Sequence, residues 1–122
     1  MKLRLRKIAI LISRGGGLLA FALGCAYATG AAIPLACHIA LGTLAVLALL
    51  CLSALAYRSA PFQALIAMTI GISVPILGMM QDGPAILENH ARPLLVVCHM
   101  LCAIGAIALS ELLNKKLKAI TA

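Results

Sequence analysis

Two histidines stand inside long apolar stretches, each a few residues after a proline that opens the stretch. His38 follows Pro34 by four residues and His99 follows Pro93 by six, which is about 6 Å and about 9 Å along a helix. Ionisable side chains in membrane-embedded helices are costly, and they mark functional positions. If both helices enter the membrane from the same side, the two imidazoles lie at one depth.

Histidines at one depth on diagonal helices of a four-helix bundle point at each other across the bundle axis. A flat macrocycle bound between them would have one imidazole on each face of its iron, which is the arrangement of a bis-histidine heme. The spacing of His38 and His99 therefore predicts one heme b, with these two residues as its metal ligands.

Small residues near the histidines are predicted to leave room for the edges of the macrocycle, although close helix packing is an equally good explanation for glycines in such helices. Arginine and histidine in the connection before the fourth apolar stretch are predicted to meet its propionates. The predicted cofactor-binding residues are Gly42, Ala103, Gly24, Gly78 and Arg92, with His90 beside Arg92.

Two other interpretations of the histidine pair stay open. The residues could be hydrogen-bonded packing groups, as many polar side chains in membrane helices are. A non-heme metal site or proton site would need a third ligand, and no carboxylate is expected at that depth. The cysteines are Cys25, Cys37, Cys51, Cys98 and Cys102. They form no C-x-x-C pair and are odd in number, so no disulfide framework is expected and a packing role is favoured.

The elements that carry these residues are predicted from composition. The 122 residues are 64% hydrophobic and 11% charged, with a mean hydropathy of +1.13, whereas soluble domains are about half apolar and a quarter charged. This excludes disorder, a soluble enzyme fold and nucleic-acid binding, despite the net charge of +7. We expect a single all-α transmembrane domain over residues 1–122, an up-down-up-down bundle with helices at roughly 8–30, 34–57, 61–80 and 93–114.

The basic residues predict the orientation. With both termini cytoplasmic, nine of the ten Lys and Arg residues lie inside and only Arg92 lies outside, a strong positive-inside pattern. The histidine layer is then near the outer face, and an integral protein of a bacterial inner membrane is expected. The first helix is interpreted as an uncleaved signal anchor, and residues 1–14 either belong to the span or lie along the membrane surface.

The two halves of the chain share a sequence pattern. A proline, a leucine and then a Cys-His pair open both the second and the fourth stretch, and Gly17 and Gly24 are spaced as Gly71 and Gly78 are. This predicts two repeated helical hairpins related by an axis along the membrane normal.

Helices two to four resemble part of a known family. The run from His38 to Arg58, the segment Ile76-Leu77-Gly78 and the segment Val97-Cys98-His99-Met100-Leu101 are similar to one four-helix half of heme A synthase. The resemblance implies heme ligation by His38 and His99. Cys37 and Ile39 stand where that family has a glutamate and an arginine, and a second half is absent, so the resemblance implies an electron-transfer relative rather than heme synthesis.

These observations predict a small membrane b-type cytochrome that passes single electrons. An electron-transfer subunit is favoured over a catalytic one. It would work beside other membrane subunits of a respiratory or quinone-linked complex, or as a homodimer, and exchange electrons with quinone or an external redox protein. The alternatives are a small four-helix transporter, which would want a carboxylate in its first helix, and a cofactor-free accessory subunit of a membrane complex.

Overall fold

The computed structural model describes residues 2–81 and 91–121. It contains four helices: α1 (Lys2–Ala28), α2 (Leu35–Ala56), α3 (Pro61–Gln81) and α4 (Ala91–Thr121). The described residues contain no strand, so the predicted all-α, four-helix class is confirmed.

The helix ends differ from the predicted ones at the two termini of the chain. α1 begins at Lys2 rather than near residue 8, and α4 continues to Thr121 rather than ending near residue 114. Hydropathy marks only the apolar part of a helix, whereas Lys, Arg and Leu are good helix formers that extend it. Residues 2–14 are thus part of one continuous helix with the rest of α1.

The connection from α1 to α2 is a tight reversal. Gly30 has a φ of +86°, a conformation that glycine adopts without steric cost. Its N–H donates to the carbonyl of Tyr27 at 3.0 Å, and the N–H of Ala31 donates to the carbonyl of Ala26 at 3.0 Å. These two bonds form a Schellman motif that ends α1 and turns the chain back.

All four helices are long and apolar enough to cross a membrane. α2 and α3 have 22 and 21 residues, and a helix of about 20 residues crosses about 30 Å of hydrocarbon. The chain is a membrane protein by the length and composition of its helices.

The bundle is built from two hairpins, α1–α2 and α3–α4. α2 packs against α1 and α3, and α4 packs against α3 and α1. As expected, α2 and α4 lie on a diagonal of the bundle, and these two helices also contact each other. They form the short diagonal of a flattened bundle, which brings residues on their facing sides close together.

The buried core lies towards one end of the bundle. We call the end where α1 and α4 have their chain termini the terminal end, and the end where α1 connects to α2 the hairpin end. The core side chains come from all four helices and cluster towards the terminal end; they are Ala9, Ala48, Leu49, Leu52, Ala56, Ala67 and Leu113. The histidines lie towards the hairpin end, beyond this core.

Candidate functional site

The structure brings the imidazoles of His38 and His99 together between α2 and α4. Their ring centroids are 6.2 Å apart, and the ring planes are inclined by 59°. Both side chains are half-buried. The contact between α2 and α4 places the two residues opposite each other, as their spacing from Pro34 and Pro93 predicts.

His38 is anchored to the neighbouring helix of its own hairpin. Its Nδ1 lies 2.8 Å from the carbonyl oxygen of Ala20 in α1. The ring rests on Gly24, one turn further along α1: a Cβ atom built on Gly24 would lie 2.9 Å from Cε1 of His38. Glycine is favoured here because a Cβ atom would force the ring to shift.

His99 is anchored in the same way within the other hairpin. Its Nδ1 lies 2.9 Å from the carbonyl oxygen of Val74 in α3, and a Cβ atom built on Gly78 would lie 3.3 Å from Cε1 of His99. In both hairpins the accepting carbonyl belongs to the residue four positions before the glycine. The predicted internal repeat therefore extends to the hydrogen bonds of the two histidines.

The two hydrogen bonds determine which ring nitrogen is available. A carbonyl oxygen only accepts, so Nδ1 of each histidine donates its proton to the carbonyl. In a neutral imidazole this leaves Nε2 with a free lone pair. Histidines that ligate metals almost always donate their other ring N–H to a carbonyl, a carboxylate or water, which sets the tautomer and the ring orientation. His38 and His99 both have this arrangement.

The space beside the glycines of α1 and α3 is filled by the histidine rings. Gly24 and Gly78, which are predicted to border a macrocycle, lie directly against the imidazoles of His38 and His99. A missing Cβ lets an aromatic ring approach the helix backbone closely enough to reach a carbonyl, and that is the use the fold makes of both positions.

The other predicted cofactor-binding residues are on α2 and α4. Gly42 faces α1, where a Cβ atom would lie 4.0 Å from Cβ of Ala20. Ala103 is half-buried on α4, one turn after His99, and Arg92 is exposed in the first turn of α4. His90 lies outside the described residues.

The donor set of the site is two imidazoles. Within residues 2–81 and 91–121, no group of three or more His, Cys, Asp or Glu side chains is placed to hold a metal ion. The five cysteines are all free thiols. A metal bound by His38 and His99 would therefore have to bring its remaining ligands with it.

No protein-family model matches the chain, and comparisons with curated proteins and with solved structures find no match. The interpretation of the site therefore depends on its own geometry and chemistry.

Sequence reasoning missed two features of the structure, one at the histidine pair and one elsewhere in the bundle. The accepting carbonyls of Ala20 and Val74 are backbone groups, and no side-chain type marks them. It also missed the ion pair of Arg14 on α1 with Glu111 on α4. The one signal available for that pair was that Glu111 is an acidic residue within an apolar helix, and such residues usually pair with a basic one.

Proposed function

We propose that the chain binds one heme b between His38 and His99 and acts as a membrane electron-transfer protein. The observation that supports this most is the matched pair of imidazoles, each with Nδ1 engaged by a carbonyl and Nε2 left as a ligand. A bond from a metal to an imidazole nitrogen is about 2 Å, so two imidazoles that hold one ion would have ring centres no more than roughly 6 Å apart. The observed separation is 6.2 Å.

The donor set favours heme over a bare metal ion. Structural zinc takes four protein ligands and catalytic zinc three, whereas the described part of the chain offers two at this position. A heme would bring four nitrogen ligands of its own and would need no more than two from the protein. The inclination of 59° between the rings is compatible with this role, because two imidazoles that hold one ion need not be parallel.

The residues of the chain would tune the site in identifiable ways. His38 and His99 would hold the heme iron through their Nε2 atoms. The carbonyls of Ala20 and Val74 would hold the ring orientations and raise the basicity of the imidazoles. When bound, heme supplies one-electron exchange between ferric and ferrous iron. Arg92, exposed at the start of α4, would pair with a propionate.

The membrane context follows from the distribution of charge. We infer from the positive-inside pattern that the terminal end would face the cytoplasm of a bacterial inner membrane and that the histidine pair would lie near the outer face. With a single heme near one face, the chain would exchange electrons with quinone or an external redox protein. It would do so as a subunit of a respiratory or quinone-linked complex, or as a homodimer.

A cofactor-free accessory subunit is the second candidate, and the same hydrogen bonds favour it. Each histidine ties two helices together through a buried backbone carbonyl, and polar contacts of this kind stabilise membrane helix packing without any ligand. The two candidates differ in one measurable property, the presence of heme.

The deciding experiment is visible absorption spectroscopy of protein purified in detergent from heme-replete cells. We expect a red protein with a sharp low-spin b-type spectrum on reduction and one heme per chain. His38→Ala and His99→Ala should each lose heme or become high-spin, and His90→Ala should stay low-spin. A colourless protein whose circular dichroism shows intact helices would refute heme binding and support the accessory subunit.

A further inference from the structure

A second site lies at the terminal end of the bundle, away from the histidines. A cleft of about 300 Å³ opens between α1 and α4. Four basic side chains from the two helices line it, together with one amide: Arg6, Lys7, Arg14, Lys118 and Asn114. The heme proposal makes no use of this cleft.

Two of the polar side chains that line the cleft are buried in the bundle. Arg6 is 8% exposed and Asn114 is 5% exposed, so a guanidinium and an amide from opposite walls are held in place by packing. Lys7 and Lys118 are exposed at its rim.

Positive charge exceeds negative charge around the cleft. Among the residues that the structure describes, Glu111 is the single acidic side chain, and it is hydrogen-bonded to Arg14. Three further basic residues line the cleft. The cleft therefore has the charge and the hydrogen-bond donors that a phosphate group requires.

The wall of the cleft also has an apolar part. Ile10 and Leu11 line it beside the basic residues, and Leu11 is 71% exposed on the outer face of α1. In a membrane-spanning helix this face meets acyl chains. A ligand with a phosphate at one end and hydrocarbon at the other matches both parts of the wall.

We propose that this cleft binds the phosphate of an anionic phospholipid from the leaflet that the chain termini face. Basic pockets between membrane helices on that side are suited to such headgroups. Arg6 and Asn114 would hold the phosphate, Lys7 and Lys118 would close over it, and an acyl chain would lie along Leu11.

Native mass spectrometry in a neutral detergent tests the proposal without reference to heme. The protein is titrated with phosphatidylglycerol, with phosphatidylcholine of the same acyl chains, and with inorganic phosphate. The test variant is the double substitution Lys7→Gln and Lys118→Gln. The matched control is Lys115→Gln with Lys116→Gln, which removes two exposed lysines that do not line the cleft.

We expect bound phosphatidylglycerol on the wild type and on the control variant, and little phosphatidylcholine on either. A lysine near an anionic lipid contributes about fivefold in affinity, so the test variant should bind about 30-fold more weakly. Equal loss in the test and control variants, or equal retention of both lipids, would refute a defined site. Competition by millimolar inorganic phosphate with no preference for the lipid would show that the cleft binds free phosphate instead.

Discussion

Replacement of Gly24 by alanine tests how His38 is held. The new methyl group would lie 2.9 Å from Cε1 and 3.3 Å from Nδ1 of the ring. Ordinary contact begins at 3.4 Å, so the imidazole must move by about 0.5 Å, which stretches its 2.8 Å bond to Ala20 to about the upper limit for a good hydrogen bond.

Gly24→Ala has two opposing effects on stability, a gain in helix propensity and a loss from overpacking. Alanine is better than glycine in a helix by about 0.5–1 kcal/mol, whereas overpacking costs about 1–3 kcal/mol. For Gly24→Ala we expect a net loss of about 1 kcal/mol. At Gly78 the methyl group would meet His99 at 3.3 Å, a milder conflict that the gain in helix propensity roughly cancels.

Gly15 provides the matched control on the same helix. A Cβ atom there has nothing within 4 Å, so Gly15→Ala should stabilise the protein by about 0.5–1 kcal/mol. The assay is thermal unfolding in detergent, followed by far-ultraviolet circular dichroism on heme-free protein. In heme-loaded protein, Gly24→Ala should also shift the low-spin electron paramagnetic resonance signal. If Gly24→Ala stabilises the protein as much as Gly15→Ala does, His38 does not rest on α1 and the reasoning fails.

Three further predictions concern the rest of the molecule. In heme-free protein, His38→Ala and His99→Ala should each lower stability in detergent unfolding by about 0.6–1.7 kcal/mol, because each removes an interhelical hydrogen bond; no change in either would contradict those bonds. Gly42→Ala should be tolerated, since its Cβ meets Ala20 at 4.0 Å, whereas Gly42→Leu should cost about 1–3 kcal/mol by forcing α1 and α2 apart. A reporter fused after Lys118 should be cytoplasmic and one inserted near Glu88 external; the reverse result would place the histidine pair at the inner face.

Much of the fold was accessible from the sequence because its signals are strong and local. Four apolar stretches predict four helices, and Pro34 and Pro61 open α2 and α3 close to where the structure begins them. The shared layer of His38 and His99 also follows, because a rise of 1.5 Å per residue converts distance along the chain into depth.

The contacts of the histidines were harder to predict, because a glycine in a sequence does not reveal which group occupies the space beside it. Gly24 and Gly78 stand out in the sequence, but three explanations fit a glycine there. They are room for a ligand, close helix packing, and close contact with an imidazole ring. Only the placement of α1 against α2 and of α3 against α4 decides between them.

The cleft at the terminal end was missed for a related reason. Its basic residues also serve the positive-inside pattern, which accounts for them without any binding site. Arg6 and Lys118 are far apart in sequence, and the two walls of the cleft come together only when α1 and α4 pack side by side.

The repeated arrangement of carbonyl, glycine and histidine has a consequence for the origin of the fold. Each two-helix half holds its histidine in place by itself, through the Ala20 carbonyl in one half and the Val74 carbonyl in the other. A two-helix ancestor that self-associated about a twofold axis would have placed two such imidazoles face to face in a homodimer. Duplication and fusion of its gene would then convert that symmetric pair into a single polypeptide, in which the two halves are free to diverge.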